Sequence, residues 1–164
     1  MATRPERLYE DDFYAWTRDQ AAALRQLAAR RWNGPLDLLH LAEEVEDLGT
    51  AARTTVRSRL QRIIEHALKL EYSPAAEPRA GWLNSIDDAR GAIENAITPA
   101  IRAEVQQGLH DLYARPRRKA ARDLAAQGEK DAARALPQDC PYGFDELLAD
   151  EWWPANRHGL RDED

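Results

Sequence analysis

Residues 37 to 72 carry one long helical pattern, and a segment of that length and period commits the chain to being built around a helix. Taking Leu41 as zero and advancing 100° per residue, Val45, Leu48, Ile63 and Leu70 all fall within about 40° of it. Arg59 and His66 lie within about 20° on the same stripe. A charged or titratable group on a stripe that faces a core must find a partner or mark a site. Gly49 interrupts the segment where a C-terminal cap would stand, yet the apolar stripe continues in phase through Val56 and Leu60 to Ile63. One bent helix and two helices hinged at Gly49 and Thr50 both fit, since an interior Gly costs only about 1 kcal/mol against Ala.

The rest of the chain repeats the helical signal. Ala, Leu, Arg and Glu dominate, Val, Ile and Thr are few, and no window alternates as a half-buried strand would. Asp11 or Asp12 can cap a first helix running to Trp32, with Phe13, Leu24, Leu27 and Ala28 inward and Asn33, Gly34 and Pro35 stopping it. After the loop from Ser73 to Gly81, Asn84 or Ser85 caps a helix that buries Leu83, Ile86, Ile93 and Ile97. Thr98 before Pro99 is the clearest start signal, a capping hydroxyl followed by Pro at the first helical position. That helix turns Ile101, Val105, Leu109 and Leu112 inward. Pro116 should kink or end it before RRKAARDLAAQ continues to Gly128. PYGFDELLADEWW predicts a short final helix docked by Tyr142, Phe144, Leu147, Leu148 and Trp152. The expected fold is a single all-α domain over residues 1–164, an irregular bundle of five to seven helices around 37–72, with 1–9 and 155–164 frayed. No repeat of 20 to 50 residues points to a solenoid.

Charge narrows the partners. The net charge is −6, but residues 1–138 balance 21 basic against 21 acidic side chains while 139–164 hold 2 and 8. An acidic end of that kind repels phosphates. No apolar run is long enough to span a membrane, and the charged start lacks a secretory signal. The single Cys140, in a turn-like CPYG, excludes an internal disulfide and a cysteine-clustered zinc site. A cytoplasmic protein is the expectation.

The segments LYEDDFYAWT, LAEEVEDLG, EHALKLEY, WLNSIDDARGAIE and CPYGFDELLADEWWP, in this order and spacing, resemble a bacterial family catalogued as domain of unknown function number 29. The resemblance spans about residues 8 to 154, and its most specific piece is the CPY to WWP segment. It implies an all-α fold and no established activity. Glu43, Glu44, Glu46, Arg59, His66, Lys69, Trp82 and Arg90 match polar and aromatic positions typical of the family, and no role comes with them.

Three functions compete. The leading one is a non-enzymatic helical interaction protein, a homo-oligomer or the binder of a protein partner, using the aromatic and Ala-rich first helix as its contact surface. The second is a small hydrolase or anion-binding enzyme. There His66, Lys69 and Arg90 converge with Trp82 as a wall, His66 moves a proton, and Arg59, Lys69 and Arg90 clamp a small anion. Glu44 sits at the edge of the stripe as a possible ion-pair member. The third is a nucleic-acid-binding regulator using Arg115, Arg117, Arg118, Lys119 and Arg122, against which stand the lack of interleaved aromatics and of helix-turn-helix spacing. No HExxH and no Glu-x-x-His pair is present, so neither a metal nor another cofactor is expected.

Overall fold

The computed structural model describes residues 4–161, and among them every regular element is helical. Eight helices follow in order: α1 (Arg4–Asp11), α2 (Phe13–Ala29), α3 (Leu38–Tyr72), α4 (Arg79–Ala96), α5 (Pro99–Gln107), α6 (Leu109–Ala126), α7 (Lys130–Ala135) and α8 (Phe144–Leu148). Contacts gather into two compact units, Met1–Val56 with Ala96–Glu104, and Arg57–Asn95 with Val105–Asp164. The long segment is a single helix of 35 residues that passes through Gly49 without a break.

In the first unit a carboxylate organises two helix starts. Asp12 caps α2, its Oδ1 accepting from Ala15 N at 2.9 Å, while its Oδ2 accepts from Ala100 N at 2.6 Å in the first turn of α5. Both are donors that a helix N-terminus otherwise leaves unsatisfied. Thr98 adds the expected cap, its Oγ1 accepting from Ile101 N at 3.3 Å. Of residues 1–9, expected to fray, 1–3 lie outside the described residues and 4–9 belong to α1, where Tyr9 sets its ring edge-on to Trp16 at 4.8 Å and to Phe13 at 5.6 Å.

The seam between α2 and α3 corrects the expected stripe. Leu41 and Leu48 are exposed, whereas Ala42 and Gly49, one position further on, are buried together with Leu38 and Val56. Across the seam α2 buries Tyr14, Thr17 and Ala21, not Phe13, Leu24, Leu27 and Ala28. A Cβ at Gly49 would lie 2.1 Å from Thr17 Oγ1. The helices therefore cross at small side chains, and a reading weighted by bulk picks the neighbouring row.

The second unit surrounds the other half of α3. Leu60, Ile63, Ile64, Ala67, Leu68 and Leu70 fill one side of this stretch and are all buried, while Glu65 and Lys69 are buried on the other side, so the helix is covered nearly all round. α4 begins at Arg79, directly after Pro78, earlier than the expected caps Asn84 or Ser85, and buries Trp82, Ile86, Ala89, Arg90 and Ile93. The helix break expected at Pro116 lies instead at Gly108, and Pro116 sits inside α6. A proline leaves the carbonyl four residues earlier without its helical donor. That carbonyl, Leu112 O, receives Gln61 Nε2 from α3 at 3.5 Å.

The end of α3 is closed by residues far along the chain. Asn156 Nδ2 donates to Leu70 O at 2.7 Å and to Ser73 O at 2.9 Å, Arg157 N donates to Glu71 O at 2.9 Å, and His158 Nε2 lies 3.1 Å from Tyr72 O. Residues 156–158, expected to fray, thus satisfy carbonyls that a helix C-terminus leaves open.

Candidate functional site

The densest polar cluster joins α3 to α6 in the second unit. Glu65 and Lys69 stand one turn apart on α3, as do Lys119 and Asp123 on α6. Lys69 Nζ donates to Glu65 Oε1 at 2.8 Å and to Asp123 Oδ2 at 2.7 Å; Lys119 Nζ donates to the same two oxygens at 2.6 and 3.1 Å. Two ammonium groups and two carboxylates close a ring of alternating charge. Glu65 and Lys69 are buried, and such charges are tolerated in an interior only when paired and hydrogen-bonded. Burial alone would raise the Glu65 carboxyl, but Lys119 and Lys69 outweigh it and hold it below its ordinary value. Asp123 is lowered against burial by the same two lysines.

His66 lies beside this ring. Its Nδ1 is buried with no hydrogen-bond partner among the described residues. Burial, opposed by Glu65 and reinforced by Lys69, Arg62 and Lys119, pushes the imidazole down from 6.5 to about 4. It is therefore neutral at physiological pH.

Next to the ring a cleft of about 190 Å³ opens between α3 and α6, lined by Ser58, Gln61, Arg62, Glu65, Arg115, Pro116 and Lys119. Gln61 holds the Pro116 turn of α6, and Lys119 carries the ring to the rim. The basic cluster of α6 is thereby divided. Arg117 is engaged inside the protein, its Nε donating to Pro137 O at 2.7 Å and its Nη2 to Leu136 O at 3.2 Å. Lys119 belongs to the ring, and Arg122 lies 3.8 Å from Asp123. Arg115 and Arg118 remain exposed.

The other residues singled out from the sequence go elsewhere. Arg90 is buried and donates to three carbonyls of the C-terminal segment, Leu147 at 3.1 Å, Asp150 at 3.3 Å and Trp152 at 2.8 Å, with Trp153 over its guanidinium at 4.6 Å. The CPY to WWP segment is thus held by Arg90 and by Tyr142, whose hydroxyl donates to Glu71 Oε2 at 2.7 Å. Arg90 and Lys69 have separate partners and do not clamp one ligand. Trp82 is a buried wall of α4, Arg59 is half-buried and makes no hydrogen bond or ion pair with a described residue, and Glu44 is exposed in the first unit. Cys140 is half-buried, its thiol raised by burial. Among the described residues no group of three or more His, Cys, Asp or Glu is placed to hold a metal ion. No helix among them is long and apolar enough to cross a membrane.

Sequence reasoning missed the partners in the ring. Glu65 with Lys69, and Lys119 with Asp123, each have the i,i+4 spacing of a helical ion pair. That spacing was the available signal, but which two helices would pack together was not.

A second surface stands out in the first unit. All seven large hydrophobic side chains that are exposed among the described residues lie between Tyr9 and Leu48: Tyr9, Leu27, Trp32, Leu36, Leu39, Leu41 and Leu48. At the turn joining α2 to α3, Ala28, Trp32, Leu36 and Leu39 line a shallow hollow, and the Trp32 ring lies against Gly34. Its α2 side carries exposed Arg30 and Arg31, with Arg25 paired to Glu46 of α3 at 2.6 Å; its α3 side carries Glu43, Glu44 and Asp47, with Asp37 held by His40 at 2.6 Å.

The family model described as domain of unknown function DUF29 matches residues 8–153. The crystal structure of an α-helical protein of unknown function from Rhodospirillum rubrum is similar at 27% identity, with a TM-score of 0.76 over 88% of this chain and 90% of that one. No curated protein matches the chain.

Proposed function

We propose that this protein, which belongs to the family described as domain of unknown function DUF29, acts by binding rather than by catalysis. Its contact surface is the apolar tip of α2 and α3, and its occupant there is a second copy of the same chain. The observation that carries this reading is that every large hydrophobic exposed among the described residues lies within residues 9–48, and three of them, Trp32, Leu36 and Leu39, gather around the hollow at the α2–α3 turn. Exposed apolar side chains scattered singly are ordinary, whereas a concentration with charged rims marks a contact surface.

Charge selects the second copy. The α2 rim is basic and the α3 rim acidic, so the surface turned by a two-fold axis sets each rim against its opposite. Burying the exposed half of one such side chain contributes about 1 kcal/mol. About eight across a symmetric interface, four from each copy, reach the lower part of the roughly 4–15 kcal/mol that association costs.

Sedimentation velocity from about 1 to 100 μM, the range of a moderate dimer, tests this directly. The wild type should pass from monomer to dimer, and Leu36→Glu with Leu39→Glu should stay monomeric, with an unchanged thermal midpoint at the lowest concentration, because both side chains are exposed. A wild type that remains monomeric throughout would refute the reading.

A further inference from the structure

We propose that the cleft between α3 and α6 is a binding site for a phosphate group, held by Arg62, Arg115 and Lys119. Two of these cations are uncommitted: neither Arg62 nor Arg115 makes a hydrogen bond or ion pair with any described residue, although both line the same cleft. Lys119 is the member of the ring that also lines this cleft, donating to Glu65 and Asp123. Glu65 also lines the cleft, but Lys69 donates to its carboxylate at 2.8 Å from within the protein and offsets the repulsion an anion would meet.

The excess of positive charge is felt by His66. After burial, Glu65 favours its protonation, and Lys69, Arg62 and Lys119 act against it. A guanidinium presents a planar fork of donors that fits phosphate oxygens, and two of them with an ammonium match a doubly charged tetrahedral group better than a single carboxylate. The cleft of about 190 Å³ admits a phosphate with a small organic group. A nucleic acid backbone needs a longer basic track, and Arg117 is turned away onto Pro137 O and Leu136 O.

The site is independent of the α2 and α3 tip, and its test reads ligand-linked stability in the full chain. Inorganic phosphate should raise the thermal midpoint by several degrees and saturate, while sodium chloride at equal ionic strength should not. Glycerol 3-phosphate separates the sources. A larger response than to phosphate assigns the site to an organic phosphomonoester, and an equal one to free phosphate. Arg62→Ala with Arg115→Ala should leave the midpoint without phosphate unchanged and weaken the response at least tenfold in concentration. The proposal is overturned if phosphate gives no saturable rise, if chloride reproduces the rise, or if the double variant keeps it; retention of DNA at physiological salt with no response to phosphate would assign the cations to nucleic acid instead.

Discussion

His66 shows how a position can be legible in a sequence while its role is not. Its place on α3 follows from periodicity, and so does that of Lys69, but their surroundings depend on α6, which no period of α3 encodes. The imidazole ends up neutral beside a closed ring of charges, with one nitrogen unbonded. A fold that prefers the neutral form takes up a proton only on unfolding once pH drops below 6.5, so stability is full above that value and falls toward pH 4. Allowing for the solvent that reaches the half-buried ring, the loss should be about 2 kcal/mol. Urea denaturation of wild type and His66→Leu at pH 7 and pH 4.5 measures it. The variant should match wild type within about 1 kcal/mol at pH 7, since no hydrogen bond to Nδ1 is lost, and should lack most of the acid-side decline. Equal declines in both proteins would place the titration elsewhere.

At the scale of the element, the lesson concerns small residues. The class and the helical period of residues 38–72 are written in spacing and composition, and the caps at Asp12 and Thr98 in single residues; the unbroken passage through Gly49 is not, since two hinged helices fit the same pattern. The side that α3 buries in its first half is not, because Ala42 and Gly49 carry no bulk and Leu41 and Leu48 do. Close approach selects the absence of a side chain, which hydrophobicity scores as a weakness. Gly49→Ala should therefore destabilise the protein by about 1–3 kcal/mol despite the better helix propensity of alanine. Thr17→Ala in the same chain should recover part of that loss, since the inserted methyl meets Thr17 Oγ1 first. A double-mutant cycle by chemical denaturation reads the coupling. Strict additivity would mean that the two helices do not meet at this pair.

Over the whole molecule, the segment most characteristic in sequence turns out to be the one that fastens the chain's later part. Arg90 gathers the carbonyls of Leu147, Asp150 and Trp152, and Asn156 with Arg157 and His158 completes the end of α3. The sequence marked CPYGFDELLADEWWP as distinctive without saying what it grips, because a carbonyl acceptor leaves no trace in residue identity. Asn156→Ala removes the donors to Leu70 O and Ser73 O and should cost about 1–3 kcal/mol. Amide hydrogen exchange should quicken in the last turn of α3 well before it changes near residue 60. Uniform acceleration along the helix would show that the cap is not local. Because His158 follows Tyr72 by 86 residues, a ribosome adding about 5–20 residues per second releases the end of α3 roughly 4–17 s before the groups that close it. Throughout that interval the nascent chain displays a helix whose last carbonyls stay open to water until residues 156–158 are made.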